Sequence, residues 1–207
     1  MKKLESSLTN MVVVLVAVAI ITGGLLAWIN QITAAPIKQQ QDLELANGIK
    51  NVMGVNNLQV VADTTIKKDF DGKEYTFVVH KTNDAAGAFL GAAIETSALG
   101  FGDQVKVLVG FDAKGAVLGY TILQHAETPG LGAKADTWFQ KDGKGNIIGK
   151  NIQEKPLAVT KDGGDIDAIT ASTITSRAFL KAVNQAYAVY AMQDVDAQSG
   201  ATTQANQ

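Results

Sequence analysis

The hydrophobic positions fall into two regimes. From Met11 to Ile32, 17 of 22 residues are apolar, and no charged residue lies between Glu5 and Lys38. At ~1.5 Å rise per residue, ~20 residues cross a ~30 Å hydrocarbon core, so one spanning helix over residues 11–32 is predicted. A signal peptide has a shorter apolar region, of ~7 to 15 residues, and a retained anchor is the expectation. Trp28 suits the far interface, and Lys2 and Lys3 ahead of the span place residues 1–10 in the cytoplasm. The body then lies on the outer face.

Beyond Pro36, residues 33–60 read as a stalk helix and linker, with Leu45, Ile49, Val52 and Met53 at helical spacing. The body, residues 61–192, begins with β-rich runs at 75–80, 88–94, 105–111 and 117–123. Asp112-Ala-Lys-Gly115 forms a hairpin turn between the last two, which predicts an antiparallel sheet. From Ile174, the positions Ala178, Val183, Ala186, Tyr187 and Tyr190 make an amphipathic helix that closes on the sheet. Residues 193–207 are polar and expected to be disordered. The fold class is α+β: one transmembrane helix, then a domain with an antiparallel sheet flanked by helices.

Composition narrows the chemistry. Outside the span the chain is about 42% apolar, an ordinary soluble value. The net charge of −2 and a single arginine, Arg177, argue against nucleic acid as partner. The absence of cysteine excludes disulfides, Fe–S clusters and thiolate chemistry. His80 and His125 stand apart from any metal-ligand spacing, so no metal site is expected. The glycine-rich run from Lys141 to Gly149 follows no apolar strand and fails the dinucleotide fingerprint; a solvated loop is the reading. No nucleophile and base arrangement for a catalytic residue is present.

Two segments are more informative. His125-Ala-Glu127-Thr128-Pro-Gly130-Leu131-Gly132 follows a strand directly. It reads either as a plain turn centred on Pro129-Gly130 or as a loop whose backbone N–H groups, with Glu127 and Thr128, hold a planar heterocycle. The second segment runs from Lys161 through Asp165 and Asp167 to Arg177 and carries Thr170, Ser172, Thr173, Thr175 and Ser176 where a helix begins. Capping needs one or two hydroxyls, and five suggest a phosphate at the positive end of the helix dipole, bound or covalently attached.

In this order, the motifs resemble the FMN-binding G-type subunit of Rnf ion-translocating oxidoreductase complexes and, more distantly, its homologue in the sodium-translocating NADH:quinone reductase. The resemblance runs from the anchor to about Tyr190. It implies FMN joined by a phosphoester bond to a threonine, which here is Thr173 within Asp167-Ala-Ile-Thr170-Ala171-Ser172-Thr173. Ala171 and Ser172 stand where the family usually has Gly and Ala. The tail copy Asp196-Ala-Gln-Ser-Gly-Ala-Thr202 makes Thr202 the alternative acceptor. The implied cofactor contacts are His125, Glu127, Thr128, Gly130, Leu131, Gly132, Lys161, Thr170, Ser172 and Thr175, and Asp167 is the expected recognition point of a flavin transferase. The implied role is a single-pass electron-transfer subunit of a bacterial plasma-membrane translocase. Its implied partners are the other membrane subunits and a cytoplasmic arm that couples ferredoxin:NAD electron transfer to cation movement. Three further readings stay open: a component like the C-type subunit of the sodium-translocating NADH:quinone reductase, an extracytoplasmic binding module without covalent flavin, and a stand-alone flavin reductase.

Overall fold

The computed structural model describes residues 8–199, with side chains described through Met192. It comprises α1 (Leu8–Met53), β1 (Gln59–Phe70), β2 (Lys73–Asn83), β3 (Phe89–Leu99), β4 (Gln104–Asp112), β5 (Val117–Gln124), α2 (Ala135–Trp138) and α3 (Thr173–Ser199). Two compact units divide the chain after Glu44.

The first unit is the apolar part of α1, which is long and apolar enough to cross a membrane. Two of its threonines are satisfied within the helix: the hydroxyls of Thr22 and Thr33 donate to the carbonyls of Val18 and Ile29, each at 2.8 Å. Such back-bonding suits hydroxyls in a medium without water. The sequence pattern separates the span from the stalk at Pro36, whereas α1 is one continuous helix of 46 residues with Pro36 inside it. Proline removes one N–H donor from the ladder but leaves neighbouring turns intact.

The second unit, residues 45–207, is built on a five-stranded antiparallel meander in the order β1-β2-β3-β4-β5. The four expected strands are β2 to β5. The Asp112 turn also forms: Gly115 N–H donates to the Asp112 carbonyl at 2.9 Å, and the Asp112 side chain accepts from Lys114 and Ala116 N–H. β1 is an addition, because the hydrophobic pattern assigns its start to the linker. Its first seven positions are exposed and carry no alternation; only the second half alternates, with Ile66 and Phe70 packed against the core. It is held by backbone pairing to β2 as an edge strand.

The sheet is covered on both faces. Phe77, Val79, Ile94, Val107, Val109 and Phe111 face α3, whose Phe179, Val183, Ala186 and Tyr190 complete the main core. Leu108 and Ala93 face the other way and meet Ile49, Val52 and Met53 from the last turns of α1. That contact requires glycine beneath it. Gly110 and Gly119 are paired across β4 and β5, and a Cβ on either would lie 2.6 or 2.9 Å from the Val52 carbonyl oxygen.

Between β5 and α3 the chain makes a long, internally bonded connection. Tyr120 anchors it: its hydroxyl donates to the Ala135 carbonyl at 2.6 Å and accepts the Phe139 N–H at 3.2 Å. Phe139 stacks on Phe179 with ring centroids 4.4 Å apart. The 141–149 run is a loop as expected, but not a fully solvated one. Ile147 is wholly buried, and a Cβ on Gly145 would lie 2.7 Å from the Asp167 carbonyl oxygen, so the loop supports the approach to α3. Finally, α3 runs to Ser199, past the expected end at Met192.

Candidate functional site

The approach to α3 is a tight turn. Ser172 N–H donates to the Ile169 carbonyl at 3.0 Å, and Ala171 takes φ of 59°. Positive φ at the third position is the type II pattern, which favours glycine. Ser176 fixes the turn from inside the helix: its hydroxyl donates to the Ser172 carbonyl and accepts the Ile169 N–H, both at 2.9 Å. The N–H groups of the first helical turn, beginning at Thr173, have no intrahelical acceptor. They present positive charge where Thr173 stands half-buried.

The hydroxyl cluster therefore divides by role. Ser176 belongs to the turn, and Thr175 donates to Glu127 Oε2 at 2.6 Å. Thr170 is exposed outside the cleft, while Ser172 and Thr173 line it. The excess over ordinary capping thus has two causes, local scaffolding and a pair of hydroxyls that face open space.

That space is a cleft of about 380 Å³. One wall is Glu127, Thr128, Leu131 and Gly132; the other is Ala171 to Thr175; Phe101, from the β3–β4 connection, completes it. Two segments more than 30 residues apart in sequence are brought together here. Their polar atoms are not all turned outward. Glu127 is 6% exposed, and its carboxyl group accepts the N–H of Phe101 (2.8 Å), the N–H of Gly102 (3.1 Å) and the Thr175 hydroxyl.

The remaining site candidates lie outside the cleft. His125 accepts the Glu127 N–H at Nδ1 (3.2 Å) and faces Asp136 at 3.7 Å, so it shapes the start of the loop. Gly130 has φ of 77° and is exposed at the Pro129-Gly130 turn. The tip of this loop is a plain turn, as one reading expects, and its base lines the cleft. Lys161 is exposed on a short 3-10 turn away from the cleft. Next to it, Arg177 grips Asp162 through two bonds of 2.7 and 2.6 Å, which hold the Asp162 carboxyl below its ordinary range. Lys150 does the same to Asp165 at 2.7 Å. Asp167 is exposed, and its carbonyl accepts the Trp138 indole N–H at 2.8 Å. Thr202 lies outside the described residues. Among the described residues no group of acidic and histidine side chains is placed to hold a metal.

Sequence patterning missed Phe101 and Ile174, which are 71% and 52% exposed in the cleft walls. The available signal was Gly100-Phe101-Gly102: a large apolar residue between two glycines in a hairpin connection does not serve packing within the sheet.

The cleft is amphipathic. Apolar Phe101, Leu131 and Ile174 suit a flat ring system and Thr128 a polar ring edge, while the hydroxyls of Ser172 and Thr173 and the start of α3 suit an anionic group. This donor set fits FMN, which combines a planar ring with a phosphate. Comparison with known proteins agrees. Residues 100–188 match the family model of the FMN-binding domain, and residues 1–52 match that of the RnfG N-terminal region. Residues 100–188 thus form an FMN-binding domain, and an apolar helix precedes it. The chain is 37% identical to the G-type subunit of the ion-translocating oxidoreductase complex of Shewanella baltica (strain OS223), over 81% of this chain and 82% of that one. It is 36% identical to the protein of the same name from Aliivibrio fischeri (strain ATCC 700601 / ES114), over 74% of each. With the Yersinia pestis protein of that name it shares 34% identity over 79% and 80% of the two chains. The chain belongs to the RnfG family, the G-type subunits of ion-translocating oxidoreductase complexes.

Proposed function

We propose that the chain is a membrane-anchored electron-transfer subunit of an Rnf-type ion-translocating complex, with FMN joined through a phosphoester bond to Thr173. The observation that carries this reading is the convergence of Thr173, at the first position of α3, with the Glu127 to Gly132 loop in one amphipathic cleft. Bound FMN supplies reversible electron carriage. The protein's residues supply attachment, orientation and shielding. Thr173 Oγ1 provides the ester oxygen. The N–H groups of the first turn of α3 stabilise the remaining phosphate charge by ~0.3 to 1 kcal/mol, more where the site is partly buried. Thr128 and loop N–H groups bond the polar edge of the ring, and Phe101, Leu131 and Ile174 keep water from its faces. Covalent attachment keeps the site loaded on the outer face of the membrane, where free FMN is dilute.

The rest of the reading follows from the same support. The apolar part of α1 spans the membrane with the amino terminus in the cytoplasm, as the Lys2 and Lys3 bias favours. The relatives are named as subunits of an ion-translocating oxidoreductase complex, so the partners are the other subunits of such a complex. A flavin transferase installs the group and reads Asp167, which is exposed beside the turn, whereas Asp165 is engaged by Lys150. The test is Thr173→Ala in the full chain, co-expressed with the transferase. Flavin fluorescence that resists SDS should disappear; its survival would refute the assignment to Thr173.

A further inference from the structure

The Glu127 carboxyl group joins three chain segments. One oxygen takes the amides of Phe101 and Gly102, the other takes the Thr175 hydroxyl, and Thr175 is 1% exposed. The Thr175 bond is buried, where bulk water does not compete, and the two amide bonds are part-buried. The segments are packed onto the group without room for another atom. A Cβ on Gly132 would overlap Glu127 Oε2 and lie 2.8 Å from Thr175 Oγ1, and a Cβ on Gly100 would overlap Glu127 Oε1. Yet the side chain nearest these bonds, Phe101, has its ring 71% exposed at the cleft. The backbone of Phe101 is thus held by a buried acid, while its ring contributes little to the core of this chain. Such an arrangement has a use if the ring is a wall for something placed beside it.

We infer that Glu127 is a positioning residue: through the Phe101 and Gly102 amides and the Thr175 hydroxyl, it holds the Phe101 ring as the wall against which the isoalloxazine of FMN packs. The inference rests on the flavin being at Thr173, but the clamp itself belongs to the polypeptide. Glu127 and Thr175 accordingly act on the cofactor through Phe101, and Phe101 is the residue that touches it.

Two readouts on the full chain separate these parts. In protein produced without flavin transferase, amide hydrogen exchange at Phe101 and Gly102 reports the clamp alone. Thr175→Val, which keeps the shape of the side chain and removes its donor, and Glu127→Ala should each speed exchange about tenfold. Thr175→Ser should exchange like the parent chain. In flavin-loaded protein, iodide quenching of flavin fluorescence reports shielding of the ring. Phe101→Ala, a surface change that leaves the fold intact, should at least double the quenching constant. Thr175→Val should act in the same direction, and the double variant should add nothing to the larger single effect. Unchanged exchange in Thr175→Val, unchanged quenching in Phe101→Ala, or additive effects in the double variant would overturn the inference. Retention of covalent flavin by Thr173→Ala would instead refute the attachment site and leave the exchange result standing.

Discussion

Ala171 occupies a conformation that its side chain resists, and this can be measured. Its φ of 59° lies in the left-handed region, in the turn that delivers Thr173 to the start of α3. A non-glycine residue there costs ~1–2 kcal/mol. Ala171→Gly removes that cost and gives back about 0.4–1 kcal/mol through the greater freedom of the unfolded chain. Ala171 is exposed, so little buried surface is lost with the methyl group. The net expectation is a gain of about 0.5–1 kcal/mol, or roughly 1–4 °C in Tm for a chain of this size. Ala171→Val should move the other way by at least ~1 kcal/mol, because a branched Cβ tolerates positive φ least. Near-UV circular dichroism melts of the full chain in detergent compare the three proteins. A lower Tm for the glycine variant, or a neutral valine variant, would refute the assigned turn geometry.

Two further perturbations address the body. His80 is 4% exposed and bonds Asp63 through Nδ1 (2.7 Å) and Glu95 through Nε2 (3.0 Å). Burial disfavours its charged form, but the bonds to Glu95 and Asp63 and the charges of both acids outweigh burial, so its pKa is raised above 6.5. A raised folded pKa gives stability that is full below the unfolded value and is lost as pH rises through the folded one. Denaturant titrations should therefore show the chain weakening as pH rises above 6.5, and His80→Gln should remove this slope. A slope unchanged in that variant would contradict the bonding described. Tyr120→Phe leaves the buried Ala135 carbonyl and Phe139 N–H without their hydroxyl partner and should cost about 1–3 kcal/mol in the same assay. A loss well under this range would show that water replaces the hydroxyl.

The sequence made the sheet legible where burial is one-sided or complete. β2 to β5 and the Asp112 turn follow from apolar runs and turn chemistry, and α3 follows from its 3.6-residue period. β1 was not legible, because its exposed first half is held by backbone pairing that leaves no mark on side-chain pattern, and its second half sets only Ile66 and Phe70 against the core. Pro36 marked a break that a long helix absorbs. At the site, the two motifs were visible and their meeting was not, since the fold alone brings residue 128 to residue 173. The excess of hydroxyls was also visible, but its division was not. Ser176 and Thr175 have the same composition signal as Ser172 and Thr173, yet Ser176 bonds Ile169 and Ser172 within the turn, and Thr175, though in the cleft wall, gives its hydroxyl to Glu127. Phe101 lies outside the two motifs, and its one mark in the sequence is the pair of glycines that flank it.

The central claim is the place of the flavin, and peptide mass spectrometry tests it directly. Trypsin cuts after Lys161 and Arg177, with no site between, and releases Asp162 to Arg177. On protein matured with the flavin transferase, this peptide should carry the added mass of FMN less water, and fragmentation should place it on Thr173. An unmodified Asp162 to Arg177 peptide, with the flavin on the peptide after Lys181 that contains Thr202, would contradict the account.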